Sequence, residues 1–117
     1  MIGALAVSLL SNSYFMFKHS AYWRTAFIQR KALYELAERE TKKPAIVFIH
    51  GFLGDVLVLS EEDAVRNHPH LYSSILYAHD LGMKNRELQN KYPDRHYYLG
   101  SYDRAHTTAH LEPLTTN

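Results

Sequence analysis

Hydrophobic positions fall first into a helical and then into a strand-like rhythm. From Tyr22 to Thr41, the residues Trp23, Ala26, Phe27, Leu33, Tyr34 and Ala37 recur at three- and four-residue spacing. That spacing predicts one apolar stripe along a helix. Ser20 is placed to cap its start, Lys42 and Lys43 suit the negative end of its dipole, and Pro44 ends it. Ala45 to His50 (AIVFIH) is then a continuous apolar run rich in β-branched residues, the pattern of a strand covered on both faces. Val56 to Leu59 predicts a second, short strand. Ser60 followed by Glu61, Glu62 and Asp63 predicts a capped helix to about Asn67, closed by Pro69. Ser73 to His79 predicts another strand, Lys84 to Tyr92 a short helix stopped by Pro93, and His96 to Leu99 a last strand. Ala105 to Asn117 shows little pattern and is expected to be a loose tail.

Strands alternating with helices predict an α/β domain: a small, mainly parallel sheet of three to four strands with helices packed on it. It is expected over residues 21–104, behind an apolar segment at 1–20. Met1 to Phe17 reads MIGALAVSLLSNSYFMF. It is short for a spanning helix, which needs about 20 mostly apolar residues, and Ser8, Ser11, Asn12 and Ser13 interrupt it. A membrane-helix remnant or anchor, a core or interfacial helix, and an unstructured start all stay open.

Composition narrows the function classes. The 117-residue chain carries a formal net charge of +1, so no overall field draws it to nucleic acid. The basic residues Lys84, Arg86, Lys91, Arg95 and Arg104 form a solvated face with no aromatic stacking platform. With no cysteine, disulfides, thiolate zinc sites and cysteine nucleophiles are excluded. Nine tyrosines suit half-buried strands and also self-association into a homo-oligomer.

Lys43 to Asp55 (KPAIVFIHGFLGD) looks like the strand and oxyanion loop of α/β-hydrolases. That chemistry also needs a nucleophile on a Gly-x-Ser-x-Gly turn. Ser101 is flanked by Leu99 and Asp103 at the positions where glycines are required, so a catalytic set is incomplete. A truncated or degenerate hydrolase is the alternative this motif supports. Its plainer reading has Gly51 and Gly54 turning the chain out of a buried strand, with His50 at the strand end. Asp80 and Asn85 fall at the expected carboxyl end of a main strand, the edge where open α/β sheets bind ligands. Asp80 is equally suited to hold turn amides. His50, Gly51, Gly54, Asp80 and Asn85 are therefore the candidate ligand-binding residues. His68, His70 and His79, and the pair His106 and His110, lack the further ligands a metal site needs, so they read as loop histidines. No metal, cofactor or nucleotide is implied, the phosphate-loop spacings being absent.

The pieces AIVFIHG, DAVRN, ILYAHDLG and KNRELQNKYPDRHYYL together resemble a particular family. It is the soluble C-terminal region of bacterial polytopic membrane proteins related to family 39 glycosyltransferases, the aminoarabinose-transferase-like group. The likeness spans about residues 20–104. Its specific part is Asp80-Leu81-Gly82, Asn85 to Leu88, and Tyr92 to Arg95 before Tyr97-Tyr98. The resemblance implies an accessory role that binds a glycan, a lipid head group or a protein partner. The family's transferases take sugar from a polyprenyl-phosphate donor at an acidic site in their membrane part, so no catalytic residue carries over. The implied partner is a membrane glycosyltransferase-like protein or a membrane surface. Family topology implies a periplasmic or membrane-associated domain; the basic residues after Phe17 argue for the cytoplasmic side.

Overall fold

The computed structural model describes residues 2–50, 66–103 and 108–115; the side chains of 2–9, 22–23 and 25–26 lie outside this description. Helix α1 spans Ile2–Glu40. Strands β1 (Ala45–Ile49) and β2 (Ile75–His79) follow, then a 3-10 turn at Gly82–Lys84, helix α2 (Asn85–Lys91), β3 (His96–Asp103) and β4 (Thr108–Leu114). The four strands form one sheet in the order β2-β1-β3-β4. β1 runs parallel to both β2 and β3, and β4 is antiparallel to β3. This is the expected α/β class: a small, mostly parallel sheet with helices packed on it.

The continuous apolar run of β1 has a simple cause. The strand lies between two neighbours and under cover on both faces, and all five of its residues are buried. Alternation sorts them by side. Ala45, Val47 and Ile49 join Ile75 and Tyr77 beneath Leu33, Tyr34 and Ala37 of α1. Ile46 and Phe48 join Leu76 and Tyr97 on the opposite face, with Leu88 and Tyr92 of the α2 region packed against them. Gly100 of β3 lets α1 settle closely. A Cβ there would stand 3.1 Å from both Leu33 Cδ1 and Val47 Cγ1.

Several elements differ from expectation. The helix begins at Ile2, not near Tyr22, so Ser20 lies within it and caps nothing. Phe27, assigned to the buried stripe, is 69% exposed, because α1 outruns the sheet. At ~1.5 Å per residue the helix is about 58 Å long, whereas a five-residue strand covers about 17 Å. Among the described side chains of α1, those in the core clusters lie between Leu33 and Ala37, and the molecule's longest dimension is 68 Å. The strand expected at His96–Leu99 continues to Asp103. The tail expected to be loose supplies β4 instead, with Ala109 and Leu111 against the α1 face and Leu114 against the other. Pro113 hides this strand in the sequence, but an edge strand tolerates proline. The expected Val56–Leu59 strand and the helix start at Ser60, along with the side chains of Trp23 and Ala26, lie outside the described residues. Arg66 and Asn67 form a turn and a bend.

Candidate functional site

The carboxyl ends of β1 and β2 bring three of the five candidate residues together. His50 immediately follows β1, and its N–H donates to Gly100 O at 2.9 Å. Asp80 immediately follows β2, and its N–H donates to Ile49 O at 3.0 Å. Parallel register pairs Ile49 with His79, so the next residue of each strand projects from the same edge. His50 Nδ1 lies 2.8 Å from Asp80 Oδ2.

The other carboxylate oxygen is also engaged. Asp80 Oδ1 accepts the Gly82 N–H at 2.9 Å and the Asn85 side-chain amide at 2.7 Å. Asn85 Oδ1 in turn accepts the Leu81 N–H at 2.9 Å. Gly82 takes φ +61°, a backbone conformation that suits glycine, and this brings its N–H under the carboxylate. The Asp-Leu-Gly and Asn85 motif is thus a local knot. Asp80 is the turn-holding residue that one reading of the sequence expected, and it also orients a histidine.

The electrostatics follow from these bonds. The His50 hydrogen bond is the largest influence and holds the Asp80 carboxyl below its usual range. Desolvation pushes the other way. The Gly82 N–H, the Asn85 amide and the charge of His50 add to the lowering. An ionised carboxylate only accepts, so His50 Nδ1 carries the hydrogen and Nε2 is the nitrogen left to meet a ligand. The Asp80 side chain is 14% exposed and that of His50 is 53% exposed. The arrangement is an anchored carboxylate behind a presented imidazole. It can accept or donate one hydrogen bond, or move a proton, at the sheet edge. Gly51 and Gly54 lie outside the described residues.

Two residues without a binding assignment in the sequence reading prove to be structural ties. Arg95 stitches the opposite, amino-terminal edge of the sheet. Its Nη1 donates to Ala45 O at 3.2 Å and Ser73 O at 3.0 Å, and its Nη2 to Leu71 O at 3.3 Å. Asn67 imitates a strand along β2, donating to Tyr77 O and accepting from Tyr77 N, both at 2.8 Å. The Pro-Asp-Arg turn and the Asn of DAVRN were the available signals for these roles. Tyr97 Oη donates to Tyr92 O and also approaches Gln89 O at 3.2 Å. Burial pushes its hydroxyl pKa upward.

Among the described residues no group of three or more His, Asp or Glu could hold a metal ion. His68 and His70 stack with Tyr72, and His68 Nδ1 accepts the His70 N–H at 3.2 Å. His110 lies in a strand, so its four-residue spacing from His106 does not place the two on a helix face; His106 itself lies outside the described residues. A separate concavity beside α1 is lined by Arg30, Tyr34, Glu38 and Arg66 among others, and by none of His50, Asp80 or Asn85. The Arg66 guanidinium sits 4.1 Å from the Tyr34 ring centre. No protein-family model, curated protein or solved structure matches the chain.

Proposed function

We propose that this chain is a non-catalytic accessory module of a membrane glycosyltransferase-like protein, and that it holds a glycan at the His50 edge. One observation carries the reading: His50, Asp80 and Asn85 converge at the carboxyl end of the parallel strands, where α/β sheets present their ligands. A fixed imidazole suits sugar hydroxyls, which both donate and accept hydrogen bonds. The motif residues that suggest the transferase relatives act here as structural supports of the sheet edges. Asp80, Asn85 and Arg95 each hold backbone or a neighbouring side chain in place.

The test is a titration of isotope-labelled protein with methyl mannoside and with aminoarabinose, followed by amide resonances. At about 20 mM sugar, a regime suited to a millimolar Kd, the His50, Gly82 and Gly100 signals should move together, and His50→Ala should abolish the movement. Silence at this edge with both sugars would end the glycan reading.

A degenerate hydrolase is the second reading, favoured by the 2.8 Å His50–Asp80 bond, which is the base-and-orienter half of an acyl-transfer site. An ester-substrate assay of the wild type and His50→Ala decides it: turnover lost in the variant supports it, and no turnover in either protein removes it.

A further inference from the structure

We infer that the amino-terminal half of α1 is an arm that inserts into an anionic lipid bilayer. The inference stands apart from the glycan reading, because it uses different residues and requires no protein partner.

The arm leaves the core with its apolar side chains uncovered. Leu10 is 70% exposed, Tyr14 67%, Phe15 63%, Met16 67% and Phe17 76%. Successive helical residues are about 100° apart, so the four from Tyr14 to Phe17 point nearly all the way round the axis. A docking groove covers one side of a helix; an apolar medium covers every side. Toward the amino terminus the sequence continues as IGALAVSL, where Ser8 is the single polar side chain.

Charge identifies the medium. The first acidic residue in the chain is Glu35, whereas Lys18, Arg24, Arg30 and Lys31 precede it. Lys18 directly follows the apolar run and its Nζ lies 5.9 Å from the Tyr14 ring centre. Arg24 is exposed further along the helix. Apolar residues, a polar step at Ser11, Asn12 and Ser13, then aromatics and then cations follow one another, and the aromatic-to-cation order is that of an interface passing into anionic headgroups. Ile2 to Phe17 spans about 24 Å at ~1.5 Å per residue, and among the described residues no helix is long and apolar enough to cross a membrane. The α/β body then stands clear of the headgroups, since Leu33, the first described core residue of α1, lies about 24 Å along the helix beyond Phe17.

The experiment is flotation of the full chain with protein-free vesicles of phosphatidylcholine, alone or with 30% phosphatidylglycerol. We expect at least tenfold stronger association with the anionic vesicles, and a blue shift of the fluorescence of Trp23, the single tryptophan. Lys18→Glu with Arg24→Glu should erase the anionic preference. Leu10→Ser with Phe15→Ser and Phe17→Ser should reduce binding tenfold or more. These side chains lie outside the core, so the thermal midpoint of either variant should match the wild type, which confirms folding. Equal binding to both vesicle types, full binding by the serine variant, or an arm-dependent dimer that ignores vesicles would each overturn the inference.

Discussion

Asp80 permits a worked test of the edge network. Asp80→Ala removes the acceptor for the His50, Gly82 and Asn85 donors, whose bonds are 2.7–2.9 Å long. A hydrogen bond to a charged group contributes roughly 1.5–3 kcal/mol. All three donors keep access to water once the carboxylate is gone, since Gly82 and His50 are exposed and Asn85 is half-buried. About 1 kcal/mol each is therefore the fitting share, giving about 3 kcal/mol for Asp80→Ala. Asp80→Asn keeps an oxygen for Gly82 and Asn85 but loses the charge facing His50, so about 1 kcal/mol is expected. At about 4 °C per kcal/mol for a chain of this size, thermal midpoints should fall by roughly 12 °C and 4 °C. The pH dependence has a definite sign. The folded pKa of Asp80 is depressed, so its stabilisation is complete above the unfolded value of about 3.9 and disappears as pH falls through the folded value. Circular-dichroism melts of wild type and Asp80→Asn should differ at pH 7, and the gap should narrow as the pH falls below about 3.9. Comparing the two proteins at one pH cancels the titration of other carboxyls. An Asn variant as stable as wild type at pH 7, or a gap that persists unchanged at pH 3, would refute the reasoning.

Other outcomes follow from the same structure. Arg95→Lys keeps the charge but not the planar fork that reaches Ala45 O, Ser73 O and Leu71 O; a loss of about 1–2 kcal/mol is expected by urea unfolding, and Arg95→Met should cost more. Phe48 is 1% exposed and among the largest fully buried side chains. Phe48→Ala should cost about 3–5 kcal/mol, a large share of the ~5–15 kcal/mol available to a domain, and a lowered urea midpoint would show it. Deleting residues 108–117 removes β4 and uncovers the edge of β3; static light scattering should then detect more association than for the full chain.

Local pattern in the sequence was enough to place the central strands. Ala45–Ile49 could be read because a strand flanked by neighbours and covered on both faces must be apolar throughout. Alternation with helices made a mainly parallel sheet the expected arrangement. The candidate edge was legible in part: the His-Gly turn after one apolar run singled out His50, and the expected carboxyl end of another strand singled out Asp80 and Asn85. The bond between His50 and Asp80 was not legible, because which strands adjoin and in what register is a non-local choice. Only the pairing of Ile49 with His79 brings the imidazole and the carboxylate to 2.8 Å. Nor could the sequence show that Arg95 reaches carbonyls at positions 45, 71 and 73. β4 was hidden for a related reason: an edge strand half-open to water and carrying Pro113 needs no strong apolar rhythm, and its partner supplies the order. Helical spacing announced a helix near Leu33, but the sheet decided where burial stops. A sheet of short strands covers only one part of a 39-residue helix, leaving Leu10 to Phe17 outside the core whatever their hydrophobicity.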